Sequence, residues 1–195
     1  MRTIVWHDKD QVIEMIDQRL LPGEFQLNRY EHYQDIADAI RTMVVRGAPA
    51  IGAAAAYGMA LAGFNSTASN HDVLIEDLRE AGEQLKVSRP TAVNLSWAVT
   101  RMLGAAESFT GSNAELRQHL LNLAEEIADE DVAINQRMAA YGAELIQDGD
   151  HIVHHCNTGA LATVDWGTAL GVIRMAHEQG KRIHVYVDET RPRLQ

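Results

Sequence analysis

Three short stretches of the 195-residue sequence contain residue types that bind anions or transfer protons. The first is RGAPAIG (46–52), and the second is SRPT (88–91). The third, HHCNTGALAT (154–163), contains Cys156, the one cysteine of the chain. The first two place an arginine beside a predicted helix start, and the third places a thiol beside a predicted strand end.

The two arginine stretches are typical of anion sites. Arg46 precedes a helix whose first turn has free N–H groups, and Gly47 lets a ligand approach the backbone. Arg89 precedes another predicted helix, and guanidinium groups bind phosphate through paired, charge-assisted hydrogen bonds. The pattern indicates a shared phosphate clamp, and it also fits two solvated arginines beside ordinary helix starts. Spacing alone does not show that the two arginines converge.

Cys156 follows a predicted strand, at the carboxyl end where open α/β sheets bind ligands. The backbone amides of the next loop are expected to favour the thiolate and lower the pKa of the thiol. The alternative is a buried structural cysteine, the commoner fate of this residue. A zinc site of His154, His155 and Cys156 is disfavoured, because neighbouring strand residues point to opposite faces.

Other classes of ligand have weaker support. The first predicted strand–helix loop lacks G-x-G-x-x-G, which disfavours a dinucleotide. An acidic run could be a carboxylate metal site, but its residues mostly lie off the apolar stripe of their helix and no Glu-x-x-His accompanies them. A solvated helix face is the preferred interpretation of this run, which comprises Glu125, Glu126, Asp129, Glu130 and Asp131.

Charge and composition exclude further partners. The net charge of −10 disfavours nucleic acid and anionic membrane surfaces. A single cysteine allows no internal disulfide and favours a reducing, cytoplasmic compartment. The uncharged segment Ala48–Phe64 is mostly Ala and Gly and shorter than a typical membrane span. We therefore expect a buried helix of a water-soluble domain there.

The first two-thirds of the chain is predicted to be mostly helical. A strand is expected at Thr3–Trp6, then a helix capped by Asp8 or Asp10, then an edge strand within Glu24–Tyr30. The apolar residues of that first helix are Val12, Ile13, Ile16 and Leu20. Further helices are predicted at Asp35–Val45, from Pro49 onward, at Asp72–Leu85, at Ala92–Phe109, and over about thirty residues that include Leu116–Leu145.

The pattern changes after Gly149. The pattern here predicts a βαβ unit with parallel strands. Its elements are a strand at His151–His155, a helix near Trp166–Glu178 capped by Asp165, and a strand at Arg182–Val187. Two parallel strands do not bury both faces of a sheet, so we expect further strands beyond Gln195.

The fold class expected is therefore α/β, in two parts. Residues 1–112 form a mostly helical domain with a few short strands. Residues 113–195 form a long linking helix and the first βαβ unit of a Rossmann-like sheet that this chain leaves incomplete.

These stretches resemble the methylthioribose-1-phosphate isomerase family of methionine salvage. The matching segments are VRGAPAIG (45–52), SRPTAVNL (88–95), HCNTGALAT (155–163), GTALG (167–171) and DETRP (188–192). The resemblance covers the whole chain. It implies that Arg46, Arg89, Gln195 and the backbone amides near Gly47 and Ala48 hold the substrate phosphate, and that Cys156 is catalytic.

The resemblance also implies a small-molecule sugar phosphate as substrate, a homodimer, and chemistry that needs no metal or nucleotide cofactor. The family's second catalytic residue, an aspartate, falls beyond Gln195. We therefore expect the isolated chain to be inactive and poorly soluble, and to need the carboxyl-terminal segment of the same protein.

The implied reaction is an aldose–ketose isomerisation. Because the phosphate closes the anomeric carbon, an acid must protonate the ring oxygen before a proton moves from carbon 2 to carbon 1. Cys156 is the candidate for that transfer, and hydride transfer between the same carbons stays open. The rival class is a non-catalytic relative of the same fold, either a sensor of sugar phosphates or nucleotides or a regulatory subunit.

Overall fold

The computed structural model describes residues 1–190, which contain five strands and six helices. The strands are β1 (Ile4–His7), β2 (Val12–Ile16), β3 (Leu27–Tyr30), β4 (His151–His154) and β5 (His184–Val187). The helices are α1 (Tyr33–Arg41), α2 (Ala48–Asn65), α3 (His71–Ser88), α4 (Val93–Ser108), α5 (Asn113–Glu144) and α6 (Ala169–Glu178), and one turn of 3₁₀ helix spans Ala160–Ala162. The predicted phosphate ligand Gln195 lies outside the described residues.

The amino-terminal sheet corrects one prediction. Strands β1, β2 and β3 form an antiparallel sheet in that order, so the helix expected from Val12 to Leu20 was wrong. Val12, Ile13 and Ile16 are β-branched and buried, and their spacing fits a strand buried on both faces as well as a helix. Pairing with β1, which sets Trp6 opposite Ile13, decides between the two.

Helix α2 is the centre of the helical layer and explains the uncharged segment of the sequence. Every residue from Ala50 to Gly63 is buried, and the helix packs against α1, α3, α4 and α5. Its small residues let the neighbours approach closely: a Cβ on Gly58 would lie 3.3 Å from Leu85. The buried helix is thus confirmed, and no helix within residues 1–190 is long and apolar enough to cross a membrane.

Helix α5 joins the two parts of the fold. Its 32 residues confirm the long helix that the apolar repeat predicted, and a capping box of Ser112 and Glu115 fixes its start. Its first half packs on α2, while Gly142 in its last turns lies against Val172 of α6. In its acidic middle Glu125, Glu126 and Asp129 are exposed, and no metal-sized group of His, Cys, Asp or Glu occurs in the described chain.

The carboxyl-terminal strands confirm the βαβ prediction. β4 and β5 are parallel, with Val153 opposite Tyr186, and α6 connects them. Helix α6 begins after Thr168, so Asp165 does not cap it; the Asp165 carboxylate instead accepts from the Trp166 N–H and from the amino terminus. One face of this sheet is open, since Val153 is 77% and Tyr186 52% exposed.

Candidate functional site

The start of α2 lies directly against the loop that follows Cys156. Gly47 has a φ of +104°, and a Cβ there would lie 2.3 Å from the carbonyl oxygen of Ala162 and 2.4 Å from its Cα. Only glycine allows this approach, because a side chain would overlap the facing backbone. Two of the three stretches singled out in the sequence therefore meet in space.

The amino-terminal strands hold the cysteine loop in place. The Thr3 hydroxyl donates to the Ala160 carbonyl at 2.8 Å, and the Gln18 amide donates to the Leu161 carbonyl at 2.7 Å. Thr3 and Gln18 are both buried. Sequence reasoning missed these two residues, because a polar residue beside a short strand gives no local sign of a partner more than 140 positions away.

A buried carboxylate holds the other end of the loop to α5. Asp131 accepts from the Val164 N–H at 2.7 Å and from the Asn135 side chain at 3.0 Å. Burial raises the pKa of Asp131, and these two hydrogen bonds act against that shift. The sequence placed Asp131 in an acidic run, whereas the structure turns it toward the site. Asn135, four residues further along the same face of α5, is nearly completely buried, unlike the residues on either side of it.

Cys156 is exposed at the carboxyl end of β4 and has a φ of +75°. Within residues 1–190 the thiol is therefore not buried as a core cysteine would be, and its catalytic role stays a prediction. The two histidines before it diverge: His154 is buried with Nε2 2.5 Å from the Thr158 hydroxyl, and His155 is exposed with Nδ1 2.5 Å from the Asp188 carboxylate. The two histidine side chains therefore contact different partners, as expected for neighbouring residues at a strand end.

Arg89 lies at the end of α3, half-buried, three residues before the cap of α4. Its Nη1 is buried and has no hydrogen-bond partner within residues 1–190. A buried guanidinium nitrogen without a partner costs free energy, so a ligand anion is a natural acceptor for it. Arg46 is also half-buried, just before α2.

The first turns of α2 and α4 are neighbours, which brings the two arginine stretches to one region. A Cβ on Gly52 would lie 3.2 Å from the carbonyl oxygen of Asn94. Helix α2 has no acidic residue in its first turn, and its N-cap residue, Gly47, has no side chain that could accept from the first N–H groups. The N–H groups at Ala48 and Ala50 therefore keep the partial positive charge that favours an anion.

A family model for the initiation factor 2 subunit family matches residues 44–195. The chain belongs to this family. The match includes all three motifs and begins just before Arg46.

Curated relatives and solved structures extend the comparison. The chain is 52% identical to "Methylthioribose-1-phosphate isomerase" of Synechococcus sp., over 94% of the chain and 53% of the relative. It is also similar to a crystal structure of 5-methylthioribose 1-phosphate isomerase from Pyrococcus horikoshii OT3, with 43% identity, a TM-score of 0.91, and coverage of 98% of this chain and 53% of the other. The chain thus spans about half the length of the curated relatives it matches.

A third comparison carries a different name. The structure of "the translation initiation factor eIF-2B, subunit delta" from A. fulgidus is 47% identical, with a TM-score of 0.88 over 98% of this chain and 55% of that one. A crystal structure of the tetrameric eIF2B-beta2-delta2 complex from C. thermophilum matches with 16% identity and a TM-score of 0.66, over 81% of this chain and 51% of that one, and shows the fold alone.

Proposed function

We propose that the protein containing this chain is an aldose–ketose isomerase that converts 5-methylthioribose 1-phosphate to 5-methylthioribulose 1-phosphate. The observation that carries the proposal is the contact of Gly47 with Ala162, which puts the anion-binding start of α2 beside the Cys156 loop. Two curated relatives that are each 52% identical to the chain are named methylthioribose-1-phosphate isomerase, which supports the same substrate. The activity contributes a step of methionine salvage, in the cytoplasm.

The substrate phosphate is held by Arg46, Arg89 and the backbone N–H groups at Gly47 and Ala48. The buried, unpartnered Nη1 of Arg89 and the uncapped start of α2 support this assignment. Gln195 completes the set of phosphate ligands. An anion at a helix start also gains from the helix dipole, so binding does not require a metal ion.

The reaction then proceeds in two stages. Protonation of the ring oxygen by a carboxylic acid from the carboxyl-terminal segment breaks the bond between that oxygen and carbon 1. Cys156 thiolate removes the proton from carbon 2, which gives an enol phosphate with a carbon 1–carbon 2 double bond. The thiol returns its proton to carbon 1 while the carbon 2 hydroxyl gives its own proton to the carboxylate left by the first stage, which leaves a carbonyl at carbon 2, the phosphate ester intact and both protein groups restored. The exposed position of Cys156 at the strand end supports this role.

Hydride transfer is the alternative for the second stage, and it predicts a different isotope pattern. If Cys156 carries a proton, turnover in D₂O places deuterium at carbon 1 of the product to the extent that the thiol exchanges with solvent. If carbon 2 passes a hydride directly to carbon 1, the product carries no solvent deuterium there. NMR of the product distinguishes the two.

The A. fulgidus structure favours a second candidate, a non-catalytic regulatory subunit with the same fold. Such a subunit would retain the phosphate clamp and turn over no sugar phosphate. The discriminating experiment is turnover of 5-methylthioribose 1-phosphate by a full-length protein that contains these 195 residues, followed by ³¹P NMR. Turnover supports the isomerase, and phosphate binding without turnover supports the regulatory subunit.

Cys156→Ser tests the catalytic assignment. The hydroxyl does not ionise near neutral pH, so kcat should fall at least about 100-fold while KM changes less. His151→Gln, at the other end of the same strand and also exposed, is the matched control and should keep kcat within roughly twofold. A folded Cys156→Ser protein that keeps more than about a tenth of the parental kcat would show that another group carries the proton.

The proposed partners are the carboxyl-terminal segment of the same protein and a second copy in a homodimer. Open apolar side chains support both, since Val153, Tyr186 and Leu145 are 77%, 52% and 84% exposed. We also propose the domain division near residue 112, with the first half of α5 packed into the amino-terminal core. Size-exclusion chromatography with light scattering of the full-length protein measures the dimer, and adding the separately expressed segment to the isolated chain tests complementation.

A further inference from the structure

An exposed histidine–aspartate pair joins the two parallel strands beside Cys156, and no step proposed above uses it. His155 Nδ1 lies 2.5 Å from the Asp188 carboxylate, and the two side chains are 82% and 60% exposed. A carboxylate oxygen only accepts hydrogen bonds, so Nδ1 carries the proton and donates to Asp188. Asp188 begins DETRP (188–192), one of the stretches singled out in the sequence.

The pair lies at the edge of the sheet where open α/β sheets bind ligands. His155 directly follows β4 and Asp188 directly follows β5, so both stand at the carboxyl ends of parallel strands. The backbone pairing extends to this point, since the Asp188 N–H donates to the His154 carbonyl at 3.2 Å. The side-chain bond therefore fixes the last residue before Cys156 to the neighbouring strand.

The backbone of Cys156 needs restraint from its surroundings because it is in the left-handed region. Its φ of +75° costs free energy for a residue with a side chain, so it persists only where neighbouring contacts hold it. After Cys156, the Thr158 carbonyl accepts from the Thr168 N–H at 2.8 Å. Before Cys156, the bond between His155 and Asp188 provides a side-chain restraint. The thiol is thus held from both directions along the chain while it stays exposed.

A second exposed pair joins the same two strands at their opposite ends and serves as a comparison. Arg182, just before β5, donates from Nη2 to the carboxylate of Asp148, just before β4, at 2.6 Å, and its backbone N–H donates to the same carboxylate at 2.6 Å. The two pairs connect the same strands and differ in which end of the sheet they occupy. Exposed ion pairs contribute little to stability, so an effect on turnover that is confined to the His155–Asp188 pair would come from its place beside the thiol.

We propose that His155, oriented by Asp188, is a positioning residue for Cys156, and that the bond between them holds the thiol in the orientation that reaches carbon 2 of the substrate. The inference rests on the proposed function and deepens it, because it gives Asp188 of the DETRP stretch a task that phosphate binding and proton transfer do not use. His155 acts through the cysteine loop and exchanges no proton with the substrate.

The test measures turnover of 5-methylthioribose 1-phosphate by variants of the full-length protein. His155→Ala and Asp188→Ala should each lower kcat roughly 10- to 100-fold while KM changes less than about threefold, because a displaced reacting group loses rate and leaves phosphate binding intact. The double variant should lose no more than either single variant, since both changes remove the same bond.

Two further variants complete the test. His155→Asn should recover kcat to within about threefold of the parent, because its amide nitrogen is a donor that can replace Nδ1 toward Asp188. Asp148→Ala, the matched control at the other end of the strands, should keep kcat within about twofold. Melting temperatures of all variants should equal that of the parent, as expected for exposed pairs.

A second readout does not depend on turnover. Alkylation of Cys156 by iodoacetamide, followed by mass spectrometry of the peptide that contains it, should slow in His155→Ala and keep the parental rate in His155→Asn and Asp148→Ala. The reason is that a displaced sulfur no longer faces the loop amides that favour the thiolate.

Multiplied losses of kcat in the double variant would overturn the proposal. So would a His155→Asn protein as slow as His155→Ala, which would make the imidazole itself a proton carrier. Absence of turnover in the parent protein would instead refute the proposed function, and the alkylation rates would then decide by themselves whether the pair positions Cys156.

Discussion

Gly47→Ala should separate the start of α2 from the cysteine loop. Gly47 has φ and ψ of +104° and +133°, a conformation that costs a residue with a side chain about 1–3 kcal/mol. In addition, the new Cβ would lie 2.3 Å from the Ala162 carbonyl oxygen, which is backbone and does not rotate away. Overpacking of this kind costs about 1–3 kcal/mol. The free energy of unfolding should therefore fall by about 2–6 kcal/mol.

The chain offers a matched control for the conformational part of that cost. Gly149 has a φ of +91°, and a Cβ there would have no atom within 4 Å. Gly149→Ala should lower the free energy of unfolding by only about 1–2 kcal/mol, partly offset by reduced freedom of the unfolded chain. The difference between the two variants measures the contact with Ala162.

The assay is urea unfolding of the full-length protein followed by far-ultraviolet circular dichroism, with affinity for inorganic phosphate measured in parallel by calorimetry. Gly47→Ala should also weaken phosphate binding, because the overlap displaces the N–H groups at the helix start. Equal losses of stability in Gly47→Ala and Gly149→Ala, with phosphate affinity unchanged in both, would refute the reasoning that joins the helix start to the cysteine loop.

Four further predictions concern separate features. In the full-length protein, Arg89→Ala should raise KM for the proposed substrate, 5-methylthioribose 1-phosphate, roughly 10- to 100-fold at unchanged melting temperature, because a charge-assisted hydrogen bond contributes about 1.5–3 kcal/mol. An unchanged KM would show that Arg89 does not hold the phosphate. Hydrogen bonds from Arg19 lower the pKa of Asp17, so Asp17→Asn should reduce the free energy of unfolding by about 1–2 kcal/mol at pH 7. Urea titrations should show that the difference between the variant and the parent disappears as the pH falls below about 4, where the carboxylate becomes protonated. Burial raises the pKa of Asp131, so ionisation of this carboxyl lowers the stability of the fold as the pH rises. In Asp131→Asn, the urea concentration at the unfolding midpoint should therefore depend less on pH between pH 4 and 7, and it should not fall at pH 7. Gly104→Ala should raise the melting temperature through about 1 kcal/mol of helix propensity, because a Cβ there would have no atom within 4 Å.

The helices were predictable because their signals are local. Residues three and four apart are neighbours on a helix, so the apolar repeat of α5 and its Ser112–Glu115 cap are visible in the sequence. The same logic failed at Val12–Ile16, where a short apolar run fits a helix and a buried strand equally well. Pairing with β1 decided that segment, and pairing depends on residues outside any local window.

The site divides in the same way. The sequence by itself indicated candidate residues: arginines beside helix starts at Arg46 and Arg89, and Cys156 at a strand end. Each of these is a statement about one residue and its near neighbours. The sequence did not show which polar groups hold the cysteine loop in place. Thr3, Gln18 and Asp131 form their hydrogen bonds to that loop only when distant segments pack together.

The approach of Gly47 to Ala162 shows most clearly what only the tertiary structure decides. A glycine at position 47 indicates from sequence a tight turn or a close approach, without naming the partner. Packing of α2 against α5, and of the cysteine loop against β1 and α5, brings the two backbones together. The sequence therefore determined which groups are candidates for chemistry. The approach of the α2 start to the cysteine loop depends on burial of apolar surface across the whole core, which no single segment encodes.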